Sequence, residues 1–206
     1  MSYKSFKIVP VVLSLFITVS IFLTGCSGDG DNKTASSDSS NQTAQTVEIL
    51  KYSDFQCPHC RTFVPMEEQL KREFGDMVQI TYKHFPLRGF QYSRLAAHSA
   101  EAAREQGKFH EMHDLIFENQ AEWSRGNARE HFESYAEQLN LDMQQFREDV
   151  ESDEIAARVE NDRQEGIRRT VTSTPTFFVN GRKLQQLPQN YDQMKSIVEL
   201  YMYRSN

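Results

Sequence analysis

Cys57-Pro58-His59-Cys60 sets two thiols two residues apart in a chain of 206 residues. Thiols at this spacing have three chemical uses: a structural staple, half of a metal site, or a disulfide that exchanges with other thiols. A staple this short closes too little chain to stabilise much. A zinc site needs about four ligands, and the chain has no second pair of this kind, its third cysteine being the distant Cys26. Exchange chemistry is the use that fits the residues best.

The pair's surroundings favour the same chemistry. Pro58 suits the first position of a helix, which makes Cys57 the capping residue, and Gly75 suits the stop. A helix therefore fits Pro58 to Gly75, with a kink expected at Pro65. At a helix start, unpaired backbone N–H groups and the helix dipole stabilise a thiolate, which lowers the thiol pKa from its usual ~8.5. The dipole is worth about 0.3–1 kcal/mol, whereas one pKa unit is about 1.36 kcal/mol. A drop of several units needs another group, and His59 is the candidate, acting as a cation or as a hydrogen-bond donor to Cys57. A stabilised thiolate stabilises the reduced protein, so the disulfide form is the stronger oxidant.

The elements that must position this pair follow along the chain. "VEILKYSDF" (Val47–Phe55) is predicted as a buried strand running into the cysteines, and "MVQITYKHFPL" (Met77–Leu87) as a second strand ended by Pro86. Four helices are predicted next: about Tyr92–Gln106, Phe109–Asn119, Ala128–Asn140, and Met143–Arg169 with a break near Ser152. "TPTFFVNGRKL" (Thr174–Leu184) places two short strands around Asn180-Gly181, a strong hairpin signal, and a last helix is expected from about Tyr191 to Tyr203.

Other chemistry-bearing residues are weaker candidates. "HEMH" (His110–His113) spaces its histidines three apart, where a zinc-binding helix needs four, so a solvated helix face is expected. His84 and His98 are expected as satisfied or surface histidines, and His131 offers nothing more specific. Phe109, Phe117, Trp123, Phe132 and Tyr135 are expected in the core, some of them lining a groove over Cys57.

Twenty-three basic and 29 acidic side chains give a net charge of −6. An acidic surface argues against nucleic acid as a partner. At the start, Lys4 and Lys7 precede an apolar run from Ile8 to Leu23 that is short for a membrane span, which suits an export signal. "LTGC" (Leu23–Cys26) resembles the lipobox of bacterial lipoproteins, which implies cleavage before Cys26 and a lipid on that cysteine. Without Lys4 and Lys7, 21 basic groups remain and the charge is near −8. The expected organisation is a signal peptide over 1–25, a lipid-anchored flexible linker over 26–46, and a folded domain over 47–206. The stretch from Ser27 to Thr46 has no large apolar residue and spans roughly 25 Å as a coil.

"DFQCPHCRTFVP" and the later "TPTFFVNG" together resemble the DsbA-like branch of the thioredoxin superfamily, from Val47 to about Tyr203. The resemblance implies an α/β thioredoxin fold with an inserted helical domain, here over about 90–169. It implies that Cys57 is the nucleophile, Cys60 the resolving thiol, and Pro58 and His59 the dipeptide that sets their chemistry. Thr174 and a cis Pro175 would face the disulfide and pair with an extended substrate. It further implies no metal or organic cofactor, since the Cys57–Cys60 disulfide is the redox group. The expected partners are exported proteins with free thiols and a membrane partner of DsbB type, with a monomer tethered outside the cytoplasm.

Two positions depart from the branch. An acidic residue that handles protons often lies six positions before the first cysteine, but Lys51 occupies that position, which leaves Asp54 as the nearest acid. Thr170 stands where a glycine is common after the last inserted helix. A reductase or isomerase of the same fold, or a soft-metal or peptide-binding module, are the competing functions.

Overall fold

Strand β1 (Val47–Ser53) is the spine of the fold, hydrogen-bonded on both edges, and its apolar composition follows from that position. The computed structural model describes residues 44–204. The expected signal segment, the Leu23–Cys26 motif with its lipidation site Cys26, and the linker as far as residue 43 lie outside the described residues.

After β1 come α1 (Pro58–Phe74), a short 3-10 turn (Gly75–Met77) and β2 (Val78–His84). Six helices follow: α2 (Ser93–Glu105), α3 (Phe109–Glu118), α4 (Gln120–Trp123), α5 (Ala128–Gln138), α6 (Met143–Val150) and α7 (Asp153–Arg168). The chain then returns to the sheet as β3 (Thr176–Val179) and β4 (Arg182–Lys183) and ends in α8 (Tyr191–Met202). The sheet order is β2-β1-β3-β4, with β1 parallel to β2 and antiparallel to β3. This is a thioredoxin-like sheet with a helical block inserted between β2 and β3, as the resemblance implied.

Asn180 and Gly181 both adopt positive φ, 44° and 76°, the conformation a two-residue hairpin needs. The Asn180 side chain also accepts a bond from the Glu48 N–H at 2.8 Å, which ties the hairpin to β1.

The core has three parts. Val47 and Ile49 of β1 pack with Phe63 and Leu70 of α1, Phe177 and Val179 of β3, and Met194 and Val198 of α8. Tyr52 packs with Phe85, Val171 and Phe178. Here Gly166 lets α7 approach closely, because a Cβ there would lie 2.7 Å from the Phe85 ring. The third part fills the helical block, where Ala96, Ala97, Ala100 and Ala103 of α2 let neighbouring helices close on it. It contains Phe109, Phe117, Trp123, Phe132 and Tyr135, as expected, and also Phe55, Cys57 and Cys60.

The structure corrects three sequence expectations. The linker expected to run through Thr46 is tied down earlier: Ala44 packs on the first core, and Gln45 donates its N–H to Met202 and its side-chain amide to Tyr201 and Arg204. The short α4 was missed because four residues are too few to show a helical period. The "HEMH" stretch is solvated only in part, since His110 is exposed while His113 is 2 % exposed and lies among aromatic rings.

Candidate active site

The start of α1 follows the sequence logic closely. Cys57 is the N-cap residue with φ −76° and ψ 118°, Pro58 follows at the first helical position, and Gly75 ends the helix at φ 52°. Pro65 lies inside the helix, where it removes the amide that would bond the carbonyl of Arg61. The buried stripe of α1 is Cys60, Phe63, Glu67 and Leu70, a helical spacing that puts Cys60 wholly inside while Cys57 keeps 6 % exposure. Both cysteines are thiols.

The loop before Cys57 is held by side chains rather than by sheet or helix ladders. Asp54 accepts from the Gln56 N–H (2.8 Å) and the Ser93 hydroxyl (2.6 Å) on one oxygen and from the Leu87 N–H (2.8 Å) on the other. Burial pushes its pKa up and these donors oppose that. Gln120 of α4, itself buried, donates to the carbonyls of Phe55 (2.6 Å) and Cys57 (3.0 Å). The helical block therefore clamps the cysteine loop from outside the thioredoxin core.

The two sulfurs sit in unlike surroundings. The Cys57 pKa is held down to about 5, chiefly by a hydrogen bond from the Cys60 thiol. Burial opposes this, and the Thr174 side chain and the backbone N–H groups of Cys60 and His59 add to the lowering. Cys60 is pushed well up, first by burial and then by its bond to Cys57, while Lys51 pulls the other way. The Asp54 N–H donates to the Cys60 sulfur at 3.5 Å. The pair is poised as one thiolate and one thiol, with the thiolate on the accessible sulfur.

Across from Cys57 lies Thr174, whose bond to Pro175 is cis. The Cys57 thiol donates to the Thr174 carbonyl at 3.5 Å. The Thr174 hydroxyl is buried with no other partner, and donating to the thiolate is the contact that lowers the Cys57 pKa. His59 is placed differently from its expected role. Its ring is exposed, and the residue reaches Cys57 through its backbone N–H.

A thioredoxin family model (Thioredoxin_4) matches residues 41–200. The chain belongs to that family.

Solved structures place its fold among the DsbA-like oxidoreductases of the family. BdbD from Bacillus subtilis superposes with a TM-score of 0.67 at 21 % identity, covering 78 % of this chain and 92 % of that one. Wolbachia pipientis alpha-DsbA1 gives 0.67 at 18 % identity, covering 77 % and 86 %. A thioredoxin-like oxidoreductase from Silicibacter pomeroyi gives 0.64 at 23 % identity, covering 77 % and 87 %. Curated relatives are similar in sequence over a shorter share of their length. The Na(+)/H(+) antiporter NhaA 3 of Salinispora tropica is 37 % identical over 153 residues, which is 74 % of this chain and 22 % of that protein. NhaA of Herminiimonas arsenicoxydans is 34 % identical over 139 residues, 68 % of this chain and 21 % of that one. The chain spans about a fifth of the length of these antiporters, so their names describe proteins of which this fold is a small part.

Two residues of this thioredoxin-family site escaped the sequence reading. Glu67 forms a buried ion pair with Lys51, Nζ to Oε1 at 2.6 Å, both side chains essentially without exposure. Its signal was its place on the apolar stripe of α1, three and four residues from Leu70 and Phe63. Gln120 gave no signal, because its role depends on a four-residue helix that periodicity does not reveal.

Proposed function

We propose that this protein is an extracytoplasmic thiol:disulfide oxidoreductase that donates its Cys57–Cys60 disulfide to exported proteins. A substrate thiolate attacks the Cys57 sulfur of the oxidised protein and forms a mixed disulfide, and the electron pair of the broken bond goes to Cys60. A second substrate thiolate then attacks the substrate sulfur of that mixed disulfide, so the substrate leaves with its own disulfide and Cys57 leaves as a thiolate. Two electrons have passed from substrate to protein.

The observation that carries this reading is the division of labour between the sulfurs. Cys57, at the cap of α1, is held as a thiolate by Cys60, Thr174 and backbone N–H groups. A thiolate stabilised in the reduced state makes the disulfide easier to reduce, so the favoured direction is donation. Reoxidation by a DsbB-like membrane partner completes the cycle, and a lipid on Cys26 would hold the protein near it. The support for the anchor is the Leu23–Cys26 motif, and the support for the partner is the family resemblance.

The test is a redox titration of the purified protein against glutathione, joined to alkylation trapping of Cys57 and Cys60 in cells. The expected potential lies nearer the strongly oxidising end of the superfamily, about −120 mV, than the reducing end, about −270 mV, with the cellular pool mostly oxidised. A reducing potential with a mostly reduced pool would reassign the protein as a reductase or isomerase.

A further inference from the structure

Cys60 must gain and lose a proton in each cycle, yet it is fully buried and has no path of its own to solvent. Beside it lies a group of polar side chains that the exchange steps above leave unused. Lys51 and Glu67 form the ion pair. The Lys51 ammonium lies 5.7 Å from the centre of the Tyr82 ring and 5.6 Å from that of Phe117. His113 flanks the same two rings, at 4.5 and 4.9 Å between centroids. Glu67 Oε2, the Tyr82 hydroxyl and His113 Nε2 are buried without a hydrogen-bond partner. The other nitrogen of His113, Nδ1, is 2.8 Å from the Asp114 carboxylate, which is partly exposed and lines an open cleft of about 330 Å³ with Arg61, Val64 and Phe117.

Unpartnered buried polar atoms cost about 1–3 kcal/mol each, and a protein that keeps four such groups together next to a reacting thiol has a use for them. We propose that the Lys51–Glu67 pair takes the proton of Cys60 and returns it, and that His113 and Asp114 connect the pair to the cleft. This rests on the redox reading of Cys57 and Cys60. When Cys60 leaves as a thiolate, Lys51 gives it a proton, and Glu67 and His113 restore that proton from Asp114. When Cys60 attacks a mixed disulfide on Cys57, its proton passes back the same way, and the sulfur–sulfur bond forms as the partner sulfur leaves. Cys60 is faced by Lys51 from β1 and by Cys57 and the Asp54 N–H from the loop. Glu67 is faced by Lys51 from β1 and Tyr82 from β2, and His113 of α3 senses both charges of the pair. Lys71, Glu68 and His110 sit at the outer rim, around Tyr82.

The experiment reacts the reduced full-length protein with 5,5′-dithiobis(2-nitrobenzoate). The first release of thionitrobenzoate reports attack by Cys57, and the second reports Cys60 attacking the adduct, which needs the Cys60 proton removed. Glu67→Gln is expected to slow the second phase at least tenfold at pH 7 and to make it rise tenfold per pH unit, with the first phase within twofold of the parent. His113→Gln and Asp114→Asn are expected to slow the same phase, and Glu67→Asp to restore part of it. Should Glu67→Gln not fold, Lys51→Met combined with Glu67→Met removes both charges without leaving one buried alone and carries the same expectation. A second phase unchanged in rate and pH profile in either variant overturns the proposal. A parent protein that shows no fast first phase overturns the redox reading instead, and this proposal with it.

Discussion

The sulfur of Cys57 and the carbonyl oxygen of Thr174 are 3.5 Å apart across a sequence separation of 117 residues. That contact joins the start of α1 to the segment leading into β3, and it puts the Thr174 hydroxyl where it stabilises the thiolate. Thr174→Val keeps the shape and removes the hydroxyl, so the Cys57 pKa should rise by about one unit, or about 1.4 kcal/mol. His59→Ala keeps the backbone N–H that reaches Cys57 and removes only an exposed ring, so its effect should be smaller than that of Thr174→Val. Absorbance titration of the thiolate at neutral and acid pH ranks the two, and a larger effect from His59→Ala would make its ring the tuning group after all.

Cys60→Ala should trap mixed disulfides on Cys57, because no thiol remains to resolve them. It should also weaken the nucleophile, since the Cys60 thiol is the largest influence holding the Cys57 pKa down. Trapping should therefore be efficient above neutral pH and poor near pH 5, where the parent is still half ionised. Adduct yield by mass spectrometry across that range is the check, and a yield independent of pH would contradict the assigned role of Cys60.

Stability of the reduced protein should depend on pH in a way the oxidised protein does not share. Cys57 has a folded pKa of about 5, below its unfolded value of ~8.5. Its contribution is fully present above the unfolded value and is lost as pH falls toward 5. Cys60 is shifted upward, so its contribution is present below its unfolded value and is lost as pH rises beyond it. The reduced form should gain on the oxidised form by up to about 1.4 kcal/mol per pH unit between pH 5 and 8.5, then lose ground above. Urea unfolding of both redox forms at several pH values measures this, and parallel curves would mean Cys57 is not depressed.

What the sequence revealed of the site depended on how local the cause was. The cap at Cys57, the stop at Gly75, the Asn180-Gly181 hairpin and the break at Ser152 each follow from one or two residues whose backbone preferences act within a turn. The α1 stripe was equally readable, and a glutamate on it at Glu67 was the cue to a buried partner for Lys51. His113 was read as solvated because spacing alone does not say which face of α3 meets Phe55, Tyr82 and Phe117. Asp54 was read as a proton carrier because it lies close in sequence, but Ser93, Leu87 and the Gln56 N–H occupy its oxygens, so its visible work is fixing the loop.

Gln120→Leu should loosen the cysteine loop without touching either sulfur. The Phe55 carbonyl loses the amide that donates to it, a cost of about 1–3 kcal/mol for a buried group left unpaired. The Cys57 carbonyl keeps its bonds from the Cys60 and Arg61 N–H groups and suffers less. Amide hydrogen exchange should therefore rise at Cys57 and Asp54 more than in β1, alongside the drop in global stability. A uniform change across the sheet would mean that Gln120 only fills space.

Thr170 is the position where a small change should strengthen the fold. The end of α7 closes with the Thr170 N–H bonded to Ile167 and the Val171 N–H bonded to Gly166, a helix-ending motif whose central residue is left-handed and usually glycine. Thr170 adopts that conformation at φ 58° despite its branched Cβ, which costs roughly 1–2 kcal/mol. Its side chain is exposed, and the bond from Lys183 goes to its carbonyl, so a substitution removes no contact the fold uses. Glycine would relieve the strain and lose about 0.5–1 kcal/mol to the greater freedom of the unfolded chain. Thr170→Gly should thus stabilise by about 0.5–1 kcal/mol, raising Tm by roughly 1–4 °C for a domain of this size. Thr170→Ala, which keeps a Cβ, should gain less. Calorimetry of the three proteins decides it, and a glycine variant less stable than the parent would mean that the threonine side chain holds the turn.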